Sequence, residues 1–569
     1  MTFENIGNLK NEISTNQYKI KLSDLTKEIN LFENFIIVNN NNNFTIYDRV
    51  CDHAGGKIIC KNNEYICPMH AWKFDPINGF YNNGVKKNKI NYIIKKNELL
   101  FKVNQKIPII NKINKDEKLK IRFINHAFVI FSGESFKFAI DPWAVGPAFN
   151  TGWWLSLKTK NDWVEQLNSC DFIFVSHNHP DHLNKHTLKY VKNDMQFVVP
   201  KYSTDSTGIF IETLGFKNIF RANFKTQYKF KNSNLIFSIL KSGDFRDDSG
   251  IYFSVGNFST LFDVDTNNIN FNNLPKTDLY GSSFAGGASG YPLMFSNYSE
   301  EQKKAILINN KKSLKIFKQN SLKKISPTYF LPYAGFFKEA LERDSYININ
   351  NKKNNILDYE KICKKISCKL LNVEKFDEFY FHGKKLISQK NRAIEYYKDT
   401  DYKSYLNKIK KTNSKIDIDY IYDYFKNSKF KDNLIVKIEL TDDNFKNIDF
   451  NIVINFSNDR IKIELNSIED VENFNKEGLR FLNLKCRKES FLNTIYNKEP
   501  WEDLTIGFQC LIYRNPNIYN VDFWYHFSNV YVTKKNVRGS TNCNNCDRIV
   551  QNLDSEIKNP KIRSANSKI

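Results

Sequence analysis

Cys51-Asp52-His53, and after thirteen residues Cys67-Pro68-Met69-His70, is the stretch whose reading decides the fold. It is a C-x-H followed by a C-x-x-H. Two thiolates and two imidazoles in this order suit a [2Fe–2S] cluster in which Cys51 and Cys67 hold one iron and His53 and His70 the other. Neutral imidazoles in place of two anionic thiolates lower the negative charge on the cluster and raise its potential, so it passes single electrons to an oxidant close by. Zinc also binds Cys2His2 sets, but zinc fingers pair Cys with Cys and His with His along the chain, whereas each half here is one Cys and one His. Gly55-Gly56 allows the close backbone approach that N–H bonds to bridging sulfides require. Pro68 and Trp72 are placed to shield the cluster edge.

A chain of 569 residues is too long for one core, so two to four domains are expected. Hydrophobic content of 41% with 15% aromatics is ample for buried cores. The net charge of +22 comes from dispersed Lys, not one basic tract, so nucleic-acid binding is not expected. Attraction to an anionic partner is, such as a nucleotide-linked acid or an acidic redox protein. Met1 to Lys19 lacks the apolar core of a signal peptide, and no stretch approaches a membrane span. Ten Cys, two of them cluster ligands, suit a reducing cytoplasm, and a cytoplasmic location is expected.

Residues 1–105 read as short β-strands: Leu31 to Asn39 and Phe44 to Val50 about an Asn-rich turn, Ile58-Ile59 and Tyr65-Ile66, then Tyr92 to Ile94 and Leu99 to Val103 about Asn97. An all-β domain carrying two metal loops is expected, with Cys60 an ordinary buried thiol. After a Lys-rich link come Leu119 to His126, Ala127 to Ser132 and Phe136 to Asp141. The apolar strand Ser169 to Ser176 then delivers His177-Asn178-His179-Pro180-Asp181-His182. Three of the nine His fall within these six residues, and a strand-end loop this rich in imidazole and carboxylate is a metal site by ligand chemistry.

Further on, the density of Pro, Gly and Trp in Asp141 to Trp154 marks a structured loop, and consecutive small residues in Ser283 to Gly290 could form an anion-binding nest. A Lys-rich helical pattern spans 300–325. Residues 345–430 read as helices with loops. Strands return at Leu434 to Leu440, Phe450 to Phe456 and Ile461 to Ile463. Cys543-Asn544-Asn545-Cys546 lies in a polar tail, a poor setting for a redox dithiol.

The H-x-H-x-D-H motif and its setting resemble the metallo-β-lactamase fold. That resemblance implies two packed sheets with metal ligands along one edge, and it makes Asp265, in Leu261 to Thr266, the bridging carboxylate. The family's next His is missing: Ser242-Gly243-Asp244-Phe245 stands there, with Asp244 as an oxygen ligand or the position vacant. No His follows until His382, so the usual last His ligand is missing too. A site with fewer imidazoles and more carboxylate favours iron, with zinc the other candidate. The candidate second-metal set is therefore His177, His179, Asp181, His182, Asp244 and Asp265, the first four also being the catalytic candidates.

A Rieske loop followed by a metallo-β-lactamase-like domain resembles the CMP-N-acetylneuraminate hydroxylases. The resemblance extends through Asp141-Pro142-Trp143, Gly152-Trp153-Trp154, Phe284 to Gly290, Pro332 to Gly335, Asp503 to Gln509 and the Trp524/His526/Phe527 cluster. It implies an N-terminal all-β Rieske [2Fe–2S] domain at 1–105, a central α/β metallo-β-lactamase-like αββα sandwich at 115–345, and a helical segment with a C-terminal α+β domain at 346–569. It also implies a monooxygenase that uses O2 and electrons from a partner such as cytochrome b5 or a ferredoxin, with its reductase, to hydroxylate the N-acetyl methyl of a CMP-sialic acid. A methyl C–H is strong and unpolarised, which is why a redox metal and an electron relay are needed together. Three other readings stand beside it: a hydroxylase of another nucleotide-activated N-acyl sugar, a metal-dependent hydrolase with a structural cluster, and a non-enzymatic electron-transfer protein.

Overall fold

Two eight-stranded sheets packed face to face form the centre of the molecule. The computed structural model describes residues 2–52, 57–61, 63–67, 72–82, 84–202, 204–242, 247–266, 274–457, 462–465 and 479–529. One sheet runs, in spatial order, Phe3–Asn8, Thr226–Phe230, Leu235–Lys241, Ser249–Val255, Phe258–Phe262, Leu279–Ser283, Tyr329–Tyr333 and Lys369–Leu370. The other runs Ile219–Ala222, Gln196–Pro200, Phe172–Phe174, Lys137–Ile140, Phe128–Ser132, Lys118–Asn125, Phe376–His382 and Lys385–Asn391. Near-continuous apolar runs such as FVIFS and FSTLF are what strands covered on both faces require. Between the sheets lies a Phe-rich core in which Phe131, Phe138, Phe253 and Phe262 meet edge-on or stacked, with ring centroids about 5–6.5 Å apart. Helix Glu300–Ile325 buries Leu322 and Ile325 against one sheet, and helix Trp163–Asn168 covers the other, giving the expected αββα layering. A capping box starts the long helix: Ser299 Oγ accepts from Gln302 N–H (3.3 Å), and Gln302 Oε1 accepts from Ser299 N–H (2.9 Å).

The domain limits differ from expectation at both ends of the sandwich. Phe3–Asn8 does not belong to the N-terminal β domain; it pairs antiparallel with Thr226–Phe230 and puts Phe3 into the central core. The sandwich also does not stop at 345. Lys369–Leu370 extends one sheet, and the hairpin Phe376–His382/Lys385–Asn391 extends the other by pairing with Lys118–Asn125. The expectation of helices with loops across 345–430 therefore holds for the helices at 345–350, 357–365, 399–412 and 418–427 but fails at 369–391.

The N-terminal domain is all β. Lys10–Lys21 and Glu98–Ile109, far apart in the chain, pair antiparallel along their whole length, and between them in sequence lie a three-stranded and a four-stranded sheet. Phe35–Asn40 and Asn43–Asp48 pair about Asn41 and Asn42, both at positive φ (50° and 66°), the geometry that a two-residue hairpin turn of this hand requires. Cys60 is exposed, not buried as expected, because it sits on the short hairpin Ile59–Lys61/Glu64–Ile66. The C-terminal unit carries a five-stranded sheet, ordered Lys462–Leu465, Ile448–Asn455, Leu434–Thr441, Arg480–Arg487 and Cys510–Asn515, with helices packed on it around Trp501, Phe523 and Phe527. Cys543 and Cys546 lie outside the described residues.

Candidate metal centres

In the N-terminal domain, Cys51 and Cys67 are both buried and share an apolar cluster with Ile58, Trp72, Phe74 and Tyr81. The Trp72 ring packs edge-on to Tyr81 at 5.2 Å, and the Trp72 carbonyl accepts from Cys67 N–H at 2.8 Å, closing the second ligand loop on itself. The first loop is held by two buried cations. Lys87 Nζ donates to Val50 O (2.6 Å) and pairs with Asp48 (2.8 Å) and Asp52 (3.1 Å), while Arg49 Nε donates to Ile58 O (2.7 Å). Two buried thiols in a dry shell fit the iron that thiolates would hold. His53, His70, Gly55, Gly56 and Pro68 lie outside the described residues.

The second centre lies along one edge of the sandwich, where strands end. Strand Phe172–Phe174 runs out at Ser176, whose carbonyl accepts from Tyr202 Oη (2.7 Å) and Ser249 Oγ (2.8 Å). That pins the backbone from which His177 to His182 turn. A tight turn follows, His182 N–H donating to His179 O at 2.9 Å, so His177, His179, Asp181 and His182 point into one small volume. Asp265 enters from the end of Phe258–Phe262, and His126 from the end of Lys118–Asn125.

These residues fall into two adjoining sets. His126, Asp181 and His182 form one and His177, His179 and Asp265 the other, the ligand atoms within each lying within 4.8 Å of one another. His182 Nε2 stands between the sets, 3.2 Å from Asp181 Oδ2 and 3.4 Å from Asp265 Oδ2. His126 Nε2 is 3.2 Å from the same Asp181 oxygen.

Tautomers follow from the outer partners. Asp141, fully buried, accepts from Ser176 N–H and Ser176 Oγ (both 2.7 Å) and lies 3.0 Å from His182 Nδ1. With its hydroxyl proton on Asp141, Ser176 Oγ accepts from His177 Nδ1 at 2.9 Å. Nδ1–H is thus fixed on both rings, and the Nε2 lone pairs point inward. His177 Nε2 faces His179 Nδ1 at 2.8 Å, and His182 Nε2 faces two carboxylates without a hydrogen bond. Acceptors converging this closely need a proton or a metal cation between them. Asp181 Oδ1 and His126 Nδ1 are likewise buried without a hydrogen bond. The donor set fits a metal centre of mixed imidazole and carboxylate ligands, the type that suits iron or zinc.

The carboxylates draw positive charge to the same point, held as protons on the imidazoles where no metal cation takes their place. Burial would neutralise His182 and Asp181, but the Asp181 and Asp265 charges hold His182 well above the usual imidazole range, and His182 with His126 holds Asp181 well below the carboxylate range. Asp265 is also depressed, His182 overcoming burial. Burial, reinforced by the His182 and His179 charges, pushes His177 far down, so its ring is neutral. His179 goes the other way, to about 9: burial opposes its charge, but the hydrogen bond and charge of Glu502 prevail.

The backbone carries strain here. His126 (φ 40°), Asp141 (φ 42°) and Val264 (φ 52°) all adopt left-handed conformations, unusual for non-glycine residues and most of all for β-branched Val264, which aims Asp265. Beneath it, Asp263 accepts from Tyr280 Oη, from Ser282 Oγ (2.9 Å) and from the fully buried Lys318 Nζ (3.2 Å).

The structure brings together His177, His179, Asp181, His182 and Asp265, all named from the sequence. Asp244 lies outside the described residues; nearby, Asp248 Oδ1 comes to 4.0 Å from His177 Nε2. Sequence reasoning missed His126, Asp141 and Glu502. The first two carried a signal: each ends an apolar strand of a mixed α/β sheet, where ligand positions gather. The Pro-, Gly- and Trp-rich loop proves to be a buried aromatic wall. Trp143 lies edge-on to His126 (5.1 Å), and Trp153 stacks on Phe337 (3.6 Å). In the presumed nest, Gly286 and Gly287 both have positive φ, but Gly287 O accepts from Asn351 Nδ2 (2.8 Å) and Gly290 N–H donates to Thr505 O, ties that hold the loop to its neighbours.

Residues 14–92 match the family model of the Rieske [2Fe–2S] domain. The chain is 27% identical to the cytidine monophosphate-N-acetylneuraminic acid hydroxylase of Macaca mulatta over 95% of this chain and 97% of that protein. It is 28% identical to that of Xenopus laevis over 87% and 88%, and 27% identical to that of Mus musculus over 89% and 94%. Among solved structures, CmlA, a diiron beta-hydroxylase from Streptomyces venezuelae, aligns at a TM-score of 0.30 and 14% identity over 48% of this chain and 55% of that one, too distant to bear on the chemistry. The chain is thus an oxidoreductase in which a Rieske iron–sulfur domain stands beside a two-sheet sandwich whose edge gathers a second candidate metal site. Across nearly its whole length it is similar to the CMP-N-acetylneuraminic acid hydroxylases. No helix among the described residues is long and apolar enough to cross a membrane.

Proposed function

We propose that the chain hydroxylates the N-acetyl methyl of CMP-N-acetylneuraminate to give CMP-N-glycolylneuraminate, using O2 and electrons from cytochrome b5 or a ferredoxin with its reductase, in the cytoplasm. The observation that carries the reading is the pairing of two metal sites in one chain: buried Cys51 and Cys67 in the N-terminal domain, and convergent His and Asp side chains on the sandwich edge. Bound at these residues, the cluster would supply single electrons and the second metal, iron, would supply O2 activation. Asp141 and Ser176 keep protons on the outward nitrogens of His182 and His177. Trp143, Trp153 and Phe337 keep water from the buried flank. The open flank is a cleft of about 40 Å³ whose lining includes Asn178, His179, Asp248, Glu502 and Tyr525. A larger cleft, about 630 Å³, lies at Thr412, Lys415, Tyr420 and Tyr496, none of which belongs to the ligand sets. The excess of 84 Lys and Arg over 62 Asp and Glu favours a nucleotide sugar and an acidic electron donor alike.

The test bypasses the donor. The protein is reduced chemically without air, mixed with CMP-N-acetylneuraminate and exposed to O2, and the sugar is weighed by mass spectrometry. One added oxygen on the acyl group is expected. No gain in a sample whose Rieske signal is intact would move the substrate to another nucleotide-activated N-acyl sugar, and hydrolysis without reductant would make the chain a hydrolase.

A further inference from the structure

The C-terminal domain borders the second metal site at residues 519–529 and, most closely, at the segment 499–507. Glu499 pairs with Lys185, and Trp153 Nε1 donates to Ile506 O at 3.2 Å. A methyl group on Gly152 would come within 2.1 Å of Gly507 O, so the two backbones are in direct contact and only glycine fits. In the middle of this segment, Glu502 Oε2 lies 3.0 Å from His179 Nε2. The other nitrogen of that ring, Nδ1, faces His177 Nε2 at 2.8 Å, inside the ligand set.

We infer that Glu502 is a positioning residue for the second metal: it holds the proton on His179 Nε2, so that His179 presents its Nδ1 lone pair, and it thereby makes the C-terminal domain part of the metal centre. The parallel with Asp141 is close. That carboxylate orients His182 from within the sandwich; Glu502 orients His179 from a domain more than three hundred residues further along the chain. A carboxylate on the outer nitrogen fixes the tautomer, stops the ring rotating and raises its basicity as a ligand. Phe149 also packs edge-on to His179 at 5.8 Å, so the ring is clamped between an aromatic wall and the Glu502 carboxylate. The inference rests on the second metal centre and not on the identity of the sugar.

The experiment titrates Co²⁺ into the full-length protein with its cluster intact and the second site stripped, following the visible absorption of bound Co²⁺. Glu502→Ala is expected to weaken Co²⁺ binding about 10- to 100-fold. Glu502→Gln, whose amide oxygen can still accept the N–H but carries no charge, should recover part of the loss. Glu499→Gln is the comparator: it breaks an ion pair of the same segment but touches no ligand, and it should bind Co²⁺ within about twofold of the unaltered protein. The inference is overturned if Glu502→Ala binds within that margin, or if Glu499→Gln loses as much as Glu502→Ala, which would make the effect one of domain docking. If the unaltered protein takes up no Co²⁺, the second metal centre itself fails, and this inference with it.

Discussion

The two halves of the second metal site are built differently. His126, Asp181 and His182 are sealed, with side chains at most 4% exposed, and are backed by the buried Asp141 and the Trp143 ring. In the other set His177 is just as buried, but His179 and Asp265 are 17% and 32% exposed, and His179 lines a cleft shared with the C-terminal domain. A sealed half can hold an ion but cannot admit a reactant; an open half can admit one but has less packing to fix its ligands. The lesson is a division of labour. The buried half ties the site to the stability of the sandwich, and the open half ties it to the chemistry and to the C-terminal domain.

Substitutions should separate the halves. Asp141→Ala strands the Ser176 hydroxyl and N–H and the His182 ring in a dry core, and it should cost about 3–5 kcal/mol of stability, read as a lower denaturation midpoint. Asp265→Asn and His179→Ala, in the open half, should change stability by only about 1 kcal/mol while abolishing turnover and second-metal content. Equal destabilisation by the two kinds of change would erase the distinction. A chelator should strip the second metal through the open half, with loss of turnover restored by added iron, while the Rieske spectrum persists; loss of both signals together would mean that the sites are not independent.

The smallest effect is a control from His186, four residues past the motif and in neither ligand set. Burial, then the charges of Lys185, Lys189 and Lys408, depress its pKa to about 3. Unfolded, it would titrate near ~6.5, so between those values the unfolded chain binds more protons. Its contribution to stability is therefore fully present above pH ~6.5 and is lost as pH falls toward 3. His186→Gln should flatten stability against pH across that window and leave metal content unchanged.

Legibility followed distance along the chain. Cys51, Cys67 and His177 to His182 stand in short contiguous motifs whose residue types declare ligand chemistry, so both centres could be read from the sequence. His126, Asp141 and Glu502 sit singly at the ends of elements far apart in sequence, and only sheet topology brings them to one edge. The boundary expected at 345 failed for a related reason. Lys385–Asn391 is an edge strand with mostly exposed side chains, so it carries no apolar alternation to mark it, and its Lys and Asn read as loop. The Asn-rich turn at 41–42 was legible because left-handed backbone favours Asn.

The most direct test of two independent metal centres in one chain is a metal count per chain, by elemental analysis, alongside the Rieske electron paramagnetic resonance signal. The account predicts metal beyond the two irons of the cluster. In Asp265→Asn that excess should vanish and the Rieske signal remain. Two irons per chain, no other metal, and no change in Asp265→Asn would contradict it.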